Sequence, residues 1–232
     1  MIFLRWKVTL NLLLTSAASS VAQLLASALG DTHKLRLTDL RAKATGEIIA
    51  NDLDHGGDID DLLEGIDAII NIGYQGQVGS EKALIDYHTR AMYNLLWSAS
   101  ESGVKRVINV STLRLFENYE ENLAVTEKWR STPSSQDIEL LAAHLTECVC
   151  KEFARDRMIQ AVNLRFGWPF DSSDKADTAR ISTDLAVGAV NAALESQELI
   201  HWQDIHVQSK VENQRYLTNT AARLLPTLAE KL

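Results

Sequence analysis

An apolar strand, a turn of small residues and an amphipathic helix follow one another at the start of this chain. The strand is predicted at residues 7–14, the turn at 15–22 (TSAASSVA) and the helix at 20–29. A second strand at 34–38 ends at Asp39, about 20 residues after the turn. This order, with an acidic residue closing the second strand, is typical of a dinucleotide-binding βαβ unit. It restricts the chain to folds built on a parallel sheet.

The alternation of strands and helices continues to the end of the chain. The strands are predicted near residues 7–14, 34–38, 47–50, 67–72, 105–111 and 159–165, and the helices near residues 20–29, 58–64, 80–102, 135–157, 183–195 and 217–230. Such alternation predicts an α/β protein with a Rossmann-type doubly wound parallel sheet, about six or seven strands in the order 3-2-1-4-5-6 and helices on both faces. We expect residues 1–167 to form a dinucleotide-binding-like domain, and residues 168–232 to form a small C-terminal lobe packed on it.

Several segments of the chain match the motifs of one protein family, in the same order and at similar spacings. The matching segments are Leu35–Arg41, Asn51–Leu53, Leu63–Gly73, Gly103–Thr112 and Val162–Gly167. On these segments the chain resembles the NAD-dependent epimerase/dehydratase family of extended short-chain dehydrogenases, over nearly its whole length. The resemblance implies a Rossmann fold, NAD as the cofactor and a small nucleotide or sugar as the ligand.

The resemblance also assigns the cofactor-binding positions. In the family's TGxxGxxG loop the glycine positions correspond to Ser16, Ser19 and Ala22 of this chain. The positions implied to contact the dinucleotide are Ser16, Ser19, Asp39, Leu40, Arg41, Asp52, Leu53, Ile72 and Gly73. A carboxylate at Asp39 accepts hydrogen bonds from ribose hydroxyls and repels a 2′-phosphate, so NAD is preferred over NADP if either binds.

The missing glycines change what the loop can do. Ser16 adds a Cβ atom in a turn where a positive φ favours glycine, and Ser19 places a hydroxymethyl group where the pyrophosphate would lie. The helix N-terminus still offers free N–H groups to an anion. Two hypotheses remain open: Ser19 or Ser20 caps the helix, or these serines hold an anion in a displaced pose. We therefore expect NAD binding to be weak or lost.

The catalytic residues of the family are also missing. The resemblance implies a Ser/Thr and a Tyr-x-x-x-Lys pair, and the corresponding positions are Thr112, Glu139 and Ala143. None of the five tyrosines in the chain has a lysine four residues later. Glu139 would serve as a substitute base if burial raised its pKa. The candidate catalytic residues are thus Thr112 and Glu139.

Composition excludes several classes of function. A formal net charge of −8, without a clustered basic face, argues against nucleic-acid binding. No apolar segment reaches the about 18 residues that a membrane span requires. The first 22 residues imitate a short secretory signal, but residues 7–14 are needed as the first strand. Cys148 and Cys150 lie two positions apart on a predicted helix, which favours free thiols, no metal site and a cytoplasmic location.

Three functional hypotheses follow from these observations. The first is a divergent, NAD-dependent epimerase/dehydratase-like protein with weakened or lost cofactor binding and no standard catalysis, a pseudoenzyme. The second is an active NAD-dependent sugar or sugar-acid oxidoreductase or epimerase with a non-standard acid/base. The third is a non-catalytic interaction or regulatory protein. In the family the helices near residues 80–102 and 135–157 form a dimer seam, so a homodimer through these helices is also predicted.

Overall fold

A single parallel sheet organises the molecule. The computed structural model describes residues 9–40, 47–54, 57–74, 80–172 and 179–232. In these ranges seven strands form one sheet in the order β3-β2-β1-β4-β5-β6-β7, and every neighbouring pair is parallel. The strands are β1 Asn11–Leu14, β2 Lys34–Asp39, β3 Ile48–Ala50, β4 Ala68–Ile72, β5 Arg106–Thr112, β6 Gln160–Phe166 and β7 Trp202–Val207. The predicted Rossmann-type sheet and its strand order are confirmed.

Helices cover both faces of this sheet. They are α1 Ser20–Leu29, α2 Gly57–Leu63, α3 Glu81–Asp86, α4 Met92–Glu101, α5 Ile138–Arg155, α6 Thr183–Glu195 and α7 Asn219–Leu224. Helices α1, α6 and α7 bury their apolar residues in one core, and α2, α4 and α5 pack around a second core on the other face. A sheet covered on both faces explains why its central strands β4, β5 and β6 are almost wholly buried.

The predicted helices differ from the observed ones in two places. The segment predicted as one helix at 80–102 is α3 and α4 joined by a π-helical turn, Tyr87–Ala91. Inside this turn the Thr89 hydroxyl donates to the Ile85 carbonyl at 2.7 Å, which competes with the regular helical ladder. The helix predicted at 217–230 ends at Leu224 because Pro226 has no N–H to continue it, and a short 3-10 turn follows.

Strand β7 was missing from the strands predicted by periodicity. It carries the polar residues Gln203, Asp204 and His206 and pairs with β6 alone, at the edge of the sheet. An edge strand has only one neighbour to bury it, so its apolar signal is weak. The segment after residue 167 therefore contributes the last strand of the same sheet.

Candidate functional site

The loop after β1 has the conformation of a glycine-containing turn without the glycine. Ser16 has a φ of 50°, in the left-handed region that favours glycine. Its side chain is buried, and its hydroxyl donates to the Ile72 carbonyl at 3.3 Å. A serine therefore occupies a backbone conformation that favours glycine.

The N–H groups of this loop are used inside the chain. The N–H of Ala17 donates to the Thr38 carbonyl at 3.0 Å, and the N–H of Ser19 donates to the Ser16 carbonyl at 2.9 Å. The Ser19 hydroxyl accepts from the Ala22 N–H at 3.3 Å and caps α1. Of the two hypotheses for the serines, the structure contains the helix cap at Ser19.

Asp39 lies at the end of β2, as predicted, but its carboxylate is directed into the protein. The residue has 0% exposure. One oxygen accepts the Ala18 N–H at 2.9 Å and the other accepts the Leu40 N–H at 2.7 Å. Each carboxylate oxygen thus already accepts one backbone N–H, and a ribose hydroxyl at either oxygen would share it with that donor.

The other predicted cofactor-binding residues differ in how far they are buried. Leu53 is buried with a φ of 53°, whereas Asp52 is exposed and its carboxylate accepts the Asp54 N–H at 3.1 Å. Gly73 lies beneath α5, where an added Cβ would come within 2.6 Å of the Asn109 side-chain oxygen. Its glycine therefore permits close packing of β4 and α5. Arg41 lies outside the described residues.

The two candidate catalytic residues lie at the carboxyl edge of the sheet without a Tyr–Lys pair beside them. Thr112 ends β5, is almost fully buried, and its hydroxyl accepts the Arg114 N–H at 3.2 Å. Glu139 is exposed in the first turn of α5, and Ala143 is buried in the next turn. Glu139 therefore lacks the burial on which its predicted role as a base depends.

Two of the five tyrosines, Tyr74 and Tyr87, are buried near the predicted catalytic and cofactor positions. Burial raises the pKa of Tyr74, with Glu139 adding to the rise and Arg114 opposing it. Burial and the charge of Asp39 raise the pKa of Tyr87, whose hydroxyl lies near the Ser16 backbone without reaching hydrogen-bond geometry. Both side chains therefore stay protonated at neutral pH. Tyr74 follows the end of β4, and Tyr87 begins the π-helical turn.

A chain of buried side-chain hydrogen bonds runs across the sheet from the loop to the far edge. The Thr15 hydroxyl donates to Asn71 at 2.6 Å. Each amide then donates to the next residue at 2.8 Å, from Asn71 to Asn109, from Asn109 to Asn163 and from Asn163 to Asp204. The last four are register partners on β4, β5, β6 and β7. We call this row the asparagine ladder.

The ladder ends in a buried ion cluster formed by Glu147, Arg165 and Asp204. Arg165 donates to Glu147 through Nε at 3.0 Å and Nη2 at 2.8 Å, and its Nη2 lies 3.1 Å from Asp204. Ser111 also donates to Glu147, at 2.6 Å. Burial opposes the ionisation of Glu147, but the charge and hydrogen bonds of Arg165, with those of Ser111 and Asn163, lower its pKa. Burial raises the pKa of Asp204 despite Arg165.

Several buried polar groups near the ends of β6 and β7 lack hydrogen-bond partners within the described residues. The Gln208 amide and the Nη1 atom of Arg165 are buried and make no hydrogen bond within the described residues. The Leu217 backbone lies near the His206 ring, but neither ring nitrogen meets hydrogen-bond geometry. Burial and the nearby Arg165 lower the pKa of His206 well below its ordinary value, so its ring is neutral at pH 7.

Two further properties concern the described part of the chain. No group of three or more histidine, cysteine, aspartate or glutamate side chains there is placed to hold a metal ion. None of the helices in those ranges has the length and apolar character needed to cross a bilayer.

Known proteins share this fold. Uronate dehydrogenase from Agrobacterium tumefaciens superposes with a TM-score of 0.80 at 15% identity, over 96% of this chain and 88% of that one. Glucuronic acid dehydrogenase from Chromohalobacter salexigens gives 0.78 at 22% identity, over 94% and 83%. UDP-glucuronic acid 4-epimerase from Bacillus cereus, in complex with UDP-glucuronic acid and NAD, gives 0.72 at 15% identity, over 93% of each chain. At these identities the likeness is one of fold.

The sequence itself assigns the family. No curated protein matches the chain. The family model described as NAD dependent epimerase/dehydratase family matches residues 17–210, well over half of the chain. Together with the sheet order and the loop geometry, this match shows that the chain belongs to the NAD-dependent epimerase/dehydratase family.

Proposed function

We propose that this chain is a divergent member of its family in which NAD binding is weakened or lost and standard catalysis is absent. The observation that carries the proposal is the buried Asp39 carboxylate, whose two oxygens accept the N–H groups of Ala18 and Leu40. A ribose would have to reach a carboxylate that has no exposed surface and share its oxygens with these two N–H donors. The missing Tyr-x-x-x-Lys pair supports the loss of catalysis, because a positioned proton donor typically contributes about 10²–10⁴-fold to rate.

Titration calorimetry with NAD and NADH tests the cofactor part of the proposal. We expect dissociation constants in the high micromolar range or weaker for the natural chain. The double variant Ser16→Gly/Ser19→Gly should bind about tenfold more tightly, which corresponds to about 1.4 kcal/mol. Ser20→Gly is the matched control, because Ser20 occupies no glycine position of the loop. A dinucleotide that co-purifies with the natural chain would overturn the proposal.

Turnover assays test the catalytic part. Nucleotide sugars and sugar acids are incubated with NAD, and the absorbance of reduced cofactor is followed. We expect no turnover, and Thr112→Ala should leave the protein folded. Robust turnover that Glu139→Gln abolishes would instead support an active oxidoreductase with Glu139 as its acid/base.

An apolar groove between α4 and α5 favours a second function, which is association with another copy of the chain. Tyr93, Trp97 and Met158 expose 45%, 40% and 36% of their surface. Tyr93 stacks on Trp97 at 6.2 Å, and both line a cavity of about 420 Å³ between α4 and α5. Exposed large apolar side chains that cluster in one groove mark an interaction surface. We propose that this groove is the seam of a homodimer.

Light scattering after size-exclusion chromatography tests this association. Trp97→Glu should convert a dimer to a monomer. Ile200→Glu is the control, because Ile200 is more exposed, at 64%, and lies outside the groove. A monomeric natural chain would refute the proposal.

We also propose a cytoplasmic location. Cys148 and Cys150 are both free thiols, and unpaired thiols persist in reducing compartments. Fractionation of cells that express the tagged chain tests this, and recovery of the protein from the medium would contradict it.

A further inference from the structure

A polar pocket lies beside α5, away from the predicted cofactor and catalytic positions. It has a volume of about 500 Å³ and lies between α5, the edge strand β7 and residues 127–131. Neither the loop at 15–19 nor Thr112 or Glu139 contributes to its described lining. We propose that this α5–β7 pocket binds a small organic anion, a ring that carries a phosphate or carboxylate group. The proposal goes beyond the cofactor site and does not depend on it.

The mouth of the pocket concentrates positive charge. Lys128, Arg130 and Lys151 line it and are exposed. Within the described residues none of the three forms an ion pair with a carboxylate. The chain as a whole has a net charge of −8, so these three positive charges are opposite in sign to its net charge. Cations grouped around a cleft raise the local concentration of anions.

The floor of the pocket is the buried ion cluster, and its carboxylates are already bound. Glu147 accepts hydrogen bonds from Arg165 and Ser111. Asp204 accepts hydrogen bonds from Asn163 and the Trp202 indole and forms an ion pair with Arg165. Arg165 is 5% exposed, yet its Nη1 atom has no hydrogen-bond partner in the described part of the chain. Because this atom is closed to solvent, an enclosed water is the partner that would complete the guanidinium, and the ligand itself would be held by the exposed cations at the mouth.

The walls of the pocket offer flat apolar surfaces in fixed orientations. The Trp202 indole is held by its hydrogen bond to Asp204 at 2.9 Å. The Trp129 ring packs edge-on against Tyr119 at 4.8 Å between ring centroids. Rings that are held before binding reduce the entropy cost of ordering a ligand. Two such walls suit a planar or sugar ring better than a bare inorganic ion.

His144 and Glu127 also line the pocket. The Nδ1 atom of His144 lies 2.8 Å from the Ser131 hydroxyl, which fixes the ring at the side of the pocket. Glu127 accepts the His206 backbone N–H at 3.4 Å and is the one acid of the described lining outside the ion cluster. The lining outside the cluster therefore has three lysine or arginine side chains against one carboxylate.

Titration calorimetry with matched sugars tests the proposal on the full chain. Glucose 6-phosphate, glucuronate and uncharged glucose share a ring and differ in charge. We expect at least one of the two anions to bind at least tenfold more tightly than glucose, and the stronger one identifies the preferred group. Quenching of tryptophan fluorescence should accompany binding and diminish in Trp202→Phe.

Variants separate a real site from general charge attraction. Arg130→Gln/Lys151→Gln should weaken anion binding at least tenfold, whereas Arg155→Gln, one turn further along α5 and outside the pocket lining, should change it less than twofold. Equal binding of all three sugars, no binding of any, or equal effects of the two sets of variants would each overturn the proposal. These substitutions lie on the exposed mouth, so circular dichroism should report an unchanged fold.

Discussion

The loop at residues 15–19 and the region near the ends of β6 and β7, with Arg165 and Gln208, are both polar and buried. They differ in whether their polar groups have hydrogen-bond partners within the described residues. In the loop, Asp39 accepts the N–H groups of Ala18 and Leu40, and Ser19 accepts the N–H of Ala22. In the β6–β7 region, Arg165 Nη1 and the Gln208 amide have no partner among the described residues. Unpaired buried polar groups indicate a missing ligand or water. Asp39 and Ser19 are thus bonded within the chain, whereas the unpaired buried groups of the described residues include those near the ends of β6 and β7 and the Tyr87 hydroxyl beside Ser16.

The largest expected effect on the free energy of unfolding comes from removing one member of the ion cluster. Arg165→Met leaves Glu147 buried without its guanidinium, and we expect a loss of about 3–5 kcal/mol in the free energy of unfolding. Urea denaturation measures this loss. The double variant Glu147→Leu/Arg165→Met removes both charges and should recover much of it. A single variant as stable as the natural chain would show that the cluster contributes little.

The same cluster predicts how stability depends on pH. Because the folded pKa of Glu147 is lowered, its contribution is present above the ordinary value of 4.5 and is lost as pH falls through the folded value. Denaturation of Glu147→Gln between about pH 5 and pH 3 should therefore show a shallower acid dependence. His206, neutral when folded, adds its own loss as pH falls below 6.5, and this part should be equal in both proteins.

The next largest effect is expected where the asparagine ladder joins the two regions. Asn109→Leu leaves the Asn71 amide donor and the Asn163 oxygen without partners. Each buried unpaired group costs about 1–3 kcal/mol, so we expect urea denaturation to show a loss of at least about 2 kcal/mol. Thr15→Val breaks only the ladder's first hydrogen bond and should cost less. Equal losses in the two variants would contradict this count of unpaired groups.

The sequence predicted the sheet because its signals are local. Apolar strands such as β4 and β5 and the glycines that end helices can be recognised within short windows. Strand order then follows from the alternation and from the family's motif order. The position of Asp39 at the end of β2 was predicted in the same way and is confirmed in the structure.

The orientation of side chains at the site was beyond the sequence, because it depends on contacts between distant segments. Asp39 turns inward to meet Ala18, 21 positions earlier in the chain. The ladder needs Asn71, Asn109 and Asn163 in one register, and register is set by packing. The sequence does contain a sign of the ladder, because each of these asparagines stands between two apolar residues of a strand. An amide buried in this way requires a hydrogen-bond partner.

A smaller effect is expected from the cap of α1. Ser19→Ala removes the acceptor for the Ala22 N–H and should cost about 1 kcal/mol in the free energy of unfolding. Ser20→Ala is the matched control and should change stability by a few tenths, since Ser20 lies inside the helix and is exposed. Thermal denaturation of both variants measures the difference. A larger loss in Ser20→Ala would move the cap to that residue.

The smallest expected effect concerns Ser16, where two opposing contributions almost cancel. Glycine would relieve a left-handed backbone conformation that costs about 1–2 kcal/mol for other residues. It would also give the unfolded chain more freedom, at about 0.4–1 kcal/mol, and lose the hydrogen bond to Ile72. We therefore expect Ser16→Gly to gain about 0.5 kcal/mol at most. Urea denaturation run beside NAD titration distinguishes two causes: tighter NAD binding at nearly unchanged stability would mean that the serine obstructs the ligand rather than the fold.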